Sequence, residues 1–195
     1  GAITNLVLSS PTSPSEGFTL RASMFPYLDN FGNVVPADPC FDSSPKFNES
    51  PKTIICTGYP FAYSHNASDE ELDVVYYAWD EPLDDFGGAF NPPLNPAPLP
   101  WLAPYTYDNP LPGGVTLDSL TGEIAYNSDT SGNFVTVVRI DAYKCDQLVA
   151  QIYREIQAVL LTCPTLFSGM NNVPPTVPAP FIDPVTGLPS YSTTV

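Results

Sequence analysis

The sequence predicts an all-β chain built on an antiparallel sandwich, and three observations predict it. Short runs rich in Val, Ile, Tyr and Thr recur between turn clusters of Gly, Pro, Asn and Asp. The 24 prolines among 195 residues disfavour long helices. A 43% hydrophobic and 12% aromatic composition supplies material for a packed core.

Charge removes several function classes. Six Lys+Arg against 21 Asp+Glu leave a net charge of −15. Six cations cannot neutralise a phosphate track, so nucleic acid is not expected as a partner. No apolar run reaches the roughly eighteen residues of a membrane helix, and no basic-plus-apolar leader opens the chain. Gly1–Thr4 and Ser192–Val195 read as strand material, so the chain is expected to be a segment of a longer polypeptide.

Taken in order, Thr4–Leu8 and Phe18–Phe25 alternate and are expected to form a terminal strand pair. Residues 26–51 are rich in Pro, Asn, Asp and Gly and read as a linker or long loop. Thr53–Cys56, Phe61–His65 and Asp73–Trp79 are short strands. Residues 80–114 form a proline-dense insertion that excludes a ladder. Val115–Leu117 and Glu123–Tyr126 flank a turn at Asp118–Gly122. Asn133–Tyr143 and Gln147–Thr162 are long runs joined at a hairpin tip, Lys144–Asp146. The last run also holds helix formers, and its alternation favours strand without excluding helix. Residues 164–195 open on a Pro/Asn-rich spacer.

The four cysteines, with no Cys-x-x-Cys and a single histidine, argue against zinc. Their even number and wide spacing favour two disulfides and an oxidising, extracytoplasmic setting, with buried free thiols as the alternative.

Three stretches together resemble a known family. His65-Asn66-Ala67-Ser68-Asp69-Glu70-Glu71-Leu72-Asp73-Val74-Val75-Tyr76-Tyr77 is similar to a His-x-Ala-Thr-Asp-Pro-Asp-Gly-Asp-Ser-Leu-x-Tyr signature. Asn109–Ile124 carries an Asn-Pro-Leu-Pro-Gly…Thr-Leu-Asp-x-x-Thr-Gly-Glu pattern. Phe134–Tyr143 and Ile152–Ile156 are similar to its paired terminal strands. In this order the motifs resemble the cadherin-like, immunoglobulin-like repeats of secreted Bacteroidetes surface proteins, among them the giant gliding-motility adhesins. The resemblance implies an immunoglobulin/cadherin-like antiparallel β-sandwich over residues 44–163, exported by type IX secretion to the cell surface outside the outer membrane. It favours strand for 147–162. Residues 1–43 then become a strand segment and linker of a preceding module, and 164–195 a linker and the start of a following one. The implied role is non-catalytic: a structural or adhesive module of a filament, with neighbouring repeats of the same chain as partners.

Within that sandwich, a first strand parallel to the last brings Cys56 to the pole of Cys163. The hairpin tip with Cys145 then lies at the other pole beside Cys40. Cys56–Cys163 and Cys40–Cys145 are therefore the expected pairs, against the two other connectivities. Asp69, Glu71 and Asp73 alternate along one turn, and Asp141 stands on a neighbouring strand. Four such carboxylates could converge on Ca²⁺, which takes six to eight oxygens at about 2.3–2.6 Å. Leu72 departs from the family glycine, and the plainer reading is a solvated acidic turn.

Trp79, Phe86, Phe90, Trp101, Tyr105 and Tyr107 lie in or beside the insertion. Exposed, Trp101, Tyr105 and Tyr107 would offer a stacking surface to polysaccharide, as in a carbohydrate-binding module of an exported enzyme. Folded back, they would cover the sheet, and packing is the favoured reading. Asp118-Ser119-Leu120 resembles the O-glycosylation pattern of the phylum, making Ser119 a candidate. No Gly-x-Ser-x-Gly or phosphate loop is present, Ser64 and His65 fall on opposite strand faces, and catalysis is not expected.

Overall fold

The computed structural model describes residues 3–7, 19–35, 43–85, 89 and 95–163, and the backbone of 181–182 and 189–190. No helix occurs among them. The chain divides into two compact units, Gly1–Thr162 and Cys163–Val195.

The first unit is an all-β sandwich. One sheet combines β1 (Ala22–Met24), β3 (Ile54–Cys56), β6 (Val74–Trp79), β9 (Gly132–Lys144) and β10 (Gln147–Leu161). Its path is β1-β10-β9-β6, with β3 on β10 as a parallel strand beyond β1. The second sheet is β4 (Phe61–Ser64), β8 (Glu123–Tyr126) and β7 (Val115–Leu117), in the order β4-β8-β7. A short pair joins β2 (Lys46–Phe47) to β5 (Ala67–Ser68). In the second unit, β11 (Phe181–Ile182) and β12 (Pro189–Ser190) form an antiparallel pair.

The long hairpin β9–β10 is the axis of the fold, and its period-2 pattern explains why. Phe134, Val138 and Ile140 on β9 and Ile152, Ala158 and Leu160 on β10 share one face. With Ile55, Tyr77, Leu111, Ile124 and Tyr126 they form the main core between the sheets. Burying each Val, Ile, Leu or Phe side chain among them stabilises the fold by about 1.5–3 kcal/mol. Residues 147–161 are strand along their whole length, because a helix would turn part of this apolar row to solvent. At the tip, Cys145 and Asp146 both take positive φ (48° and 63°), the backbone of a two-residue primed turn. Gly122 also has positive φ, and a Cβ there would lie 2.4 Å from Tyr77, so the Thr121-Gly122-Glu123 turn requires glycine.

The ends of the expected layout change. Thr4–Leu8 and Phe18–Phe25 do not pair with each other within the described residues: Leu6 bridges to Trp101, while Ala22–Met24 lies on β10. Residues 3–7 and 19–35 lie in the same compact unit as the sandwich. The physical reason is that the outward row of β9 is apolar at Val135 and Val137. Val135 and Val137 are buried under Ile3, Leu6, Leu99 and Trp101, a second small core outside the sheet. The described residues of the proline-rich insertion, 80–85, 89 and 95–114, are held by isolated bridges and single hydrogen bonds instead of a ladder, with Leu99 and Trp101 on that face and Tyr105 and Leu111 against the main core.

Candidate functional site

The acidic turn after β5 is built by Asp69. Its Oδ1 accepts hydrogen bonds from the backbone N–H of Glu71 (3.0 Å) and Asp73 (3.2 Å). Such an Asx turn sets the backbone locally. Leu72 closes it with φ 64° and an 88% exposed side chain, where the family pattern has glycine. Asp69 itself is 6% exposed, and burial raises its carboxyl pKa despite the two N–H donors.

The four carboxylates expected to share a cation are not gathered. Glu71 accepts from the hydroxyl and N–H of Ser43 (2.7 and 3.2 Å), and the hydroxyl bond holds its pKa low. Asp73 pairs with Lys144 Nζ at 3.2 Å. Asp141 belongs to a different cluster on the outer sheet face. It accepts from Arg139 Nε (2.9 Å) and Nη2 (3.0 Å) and from Gln151 Nε2 (2.7 Å). Arg139 Nη1 also donates to Asp80 (2.7 Å). Burial works against the guanidinium charge, but Asp141 and Asp80 outweigh it and raise the Arg139 pKa. Among the described residues no three His, Cys, Asp or Glu side chains are grouped to hold a metal ion. Each of these carboxylates has instead a cation or an N–H or O–H donor of its own.

The aromatic residues of the insertion divide. Trp101 packs against Leu6, Val135 and Val137, and Tyr105 stands edge-on to Phe134 at 5.6 Å. Trp79 packs on the main core. Tyr107 stays 46% exposed, and Phe86 and Phe90 lie outside the described residues. No three-ring stacking surface forms from Trp101, Tyr105 and Tyr107, because two of the rings cover the sheet.

A different aromatic pair lies on the outer face, with Tyr76 exposed and Tyr143 half-buried. Tyr76 on β6 and Tyr143 on β9 meet at 5.6 Å, their planes 82° apart. With Val74, Cys145 and Asp146 they line a shallow groove of about 400 Å³ at the hairpin tip. Only strand register reveals it: Val74 opposes Tyr143 and Tyr76 opposes Asp141, so the two rings are diagonal neighbours on the outer face.

Cys56 and Cys163 are both disulfide-bonded. Cys145 is an exposed free thiol, and Cys40 lies outside the described residues. Ser119 is exposed on the Asp118–Gly122 turn, and its carbonyl accepts the Tyr77 N–H at 2.9 Å. That bond, with Asp69 capping the Asp73 N–H, occupies donors on the outer edge of β6 and blunts it against strand addition.

His65 has no solvent exposure, and neither ring nitrogen has a hydrogen-bond partner. Its ring meets Tyr63 edge-on at 5.3 Å. Burial, helped by the nearby Arg154 charge, pushes its pKa down to about 4. Ser64 donates to the Thr121 carbonyl at 3.0 Å, so hydroxyl and imidazole serve separate structural ends.

No family model matches the chain, and no curated protein or solved structure matches it either.

Proposed function

We propose that the chain is a non-catalytic structural or adhesive module of a long secreted cell-surface filament or gliding adhesin, with neighbouring repeats of the same chain as its partners. The observation that carries this reading is the covering of the outer sheet face at Val135 and Val137 by the chain's own Ile3, Leu6, Leu99 and Trp101. That part of the face is spent on packing, as suits a load-bearing element. The expected export by type IX secretion and display outside the outer membrane rest on the family resemblance; the disulfide-bonded Cys56 and Cys163 are compatible with an extracellular setting. No helix of the described residues is long and apolar enough to cross a membrane.

One observation favours a second reading, a carbohydrate-binding module of an exported enzyme. The exposed Tyr76 and half-buried Tyr143 beside Asp146 combine aromatic rings with a carboxylate, a pairing suited to surface polysaccharide. Pull-down on insoluble polysaccharides decides between the two. The structural reading expects no retention of the wild-type chain. Retention that disappears with Tyr76→Ala would replace it with the carbohydrate reading.

A further inference from the structure

We infer that His65 is an acid latch: its protonation lifts the β2–β5 pair off the sandwich while the two sheets stay folded. The imidazole has no solvent exposure, and neither ring nitrogen has a hydrogen-bond partner among the described residues. A neutral ring can be held in this way. An imidazolium carries two N–H donors, and the site gives neither of them an acceptor.

Three side chains wall the ring. Tyr63 on β4 meets it edge-on at 5.3 Å, and Phe47 on β2 stands at 6.2 Å, tilted by 58°. The Arg154 guanidinium on β10 lies 3.5 Å from the Phe47 centroid, and its charge reaches the imidazole. Burial and Arg154 both work against a proton there. The other titratable groups on the surrounding elements are engaged or turned outward. The Tyr77 hydroxyl on β6 accepts the Ala67 N–H (2.8 Å), and Glu49 accepts from Asn66 Nδ2 (3.2 Å). Lys46 and Glu70 face each other at 3.8 Å in solvent, and Asp69 accepts from the Glu71 and Asp73 N–H groups. On β8, Tyr126 remains a neutral phenol and Glu123 is exposed.

Of the three walls, the Phe47 side is the least held. Tyr63 sits in β4, in register with β8 over four residue pairs, and Arg154 sits in the 15-residue β10. Phe47 belongs to a pair matched only at Lys46–Ser68 and Phe47–Ala67. That pair is tied to the sandwich by the Phe47–Arg154 contact, the Ala67–Tyr77 hydrogen bond and the packing of Phe47 and Ala67 on the main core. His65 itself is anchored on the other side, its N–H donating to the Gly122 carbonyl at 3.0 Å. A second cation beside Arg154 therefore favours the form in which Phe47 leaves and water reaches both charges. Opened, the chain presents two cations and an aromatic ring on a molecule of net charge −15, a local reversal of sign that exists only in acid.

The test is native-state hydrogen exchange by NMR on the full chain at pH 7 and pH 4.5, in rising sub-denaturing urea, for wild type and His65→Phe. With closed and open imidazole values of about 4 and 6.5, the open form gains roughly 60-fold between these conditions. After correction for intrinsic exchange, the Asn48 and Ala67 amides, which bond Asn66 and Tyr77, should lose about that factor of protection in the wild type alone. Their exchange should not depend on urea, whereas β9 and β10 amides stay more protected and respond to it. A change under about 5-fold at Asn48 and Ala67, an equal change in His65→Phe, or one urea dependence shared with β9 and β10 overturns the inference. Should His65→Phe fail to fold, the single histidine of the wild type decides. Imidazole shifts that titrate in step with the loss of protection support the latch, and shifts that titrate apart from it overturn it.

Discussion

Arg154 stands on the inward row of β10 with its guanidinium 3.5 Å from the centre of the Phe47 ring and Nη1 donating to the Tyr63 hydroxyl at 3.1 Å. A cation in this position holds the β2–β5 pair against the sandwich, through a ring contact that contributes about 1–2 kcal/mol when desolvated. Burial lowers the Arg154 pKa, and its charge reaches His65.

That neighbourhood sets a pH dependence. His65 has a folded pKa of about 4, below the ordinary imidazole value near 6.5, so the unfolded chain binds more protons between these limits. Its contribution is fully present above about pH 6.5 and is lost as pH falls toward 4. The loss amounts to about 3 kcal/mol at most. Urea unfolding at pH 7 and pH 4.5, compared with His65→Phe, measures it. The variant should lose less stability on acidification than the wild type, and equal losses would contradict the assignment.

Arg139 bridges Asp80 and Asp141, of which Asp141 is 7% exposed. Arg139→Met leaves a nearly buried carboxylate with Gln151 as its remaining donor. A loss of about 2–4 kcal/mol is expected, less than for a fully buried pair because Arg139 is partly solvated. Asp141→Asn should cost less. Chemical unfolding at two ionic strengths reads both, and a change under about 0.5 kcal/mol for Arg139→Met would show the network to be ornamental.

For calcium, the partners found by Glu71, Asp73 and Asp141 lead to a plain expectation. The melting temperature should be unchanged by millimolar Ca²⁺ or by chelator. A rise of several degrees with Ca²⁺ would mean that the turn rearranges to gather its carboxylates.

For the cysteines, non-reducing peptide mapping should recover Cys56 and Cys163 in one linked fragment, while a maleimide labels Cys145 in the native protein. A loop closed over that separation contributes on the order of 4–5 kcal/mol in the chain-entropy model, so Cys56→Ser should lower stability by a comparable amount. Absence of label on Cys145 would contradict its free state.

Much of the sandwich was legible because its strands carry the signal themselves. The alternation Phe134, Val138, Ile140 and Ile152, Ala158, Leu160 is a local pattern, and Gly122 marks its turn. β2 and β5 were not legible, since two residues cannot display a period. Nor was Asn5: an amide between Thr4 and Leu6 gives no hint of Val135, 130 positions away. The carboxylates Asp69, Glu71, Asp73 and Asp141 looked like one site because spacing does not reveal Lys144, Ser43 or Arg139 beside them. Tyr76 and Tyr143 became a pair only through register.

The central claim, a surface-displayed structural module, is tested most directly by labelling intact cells of the producing organism with antibody raised against residues 1–163. The account predicts labelling without permeabilisation, removed by brief protease treatment of whole cells. Signal that emerges only after the envelope is broken would contradict it.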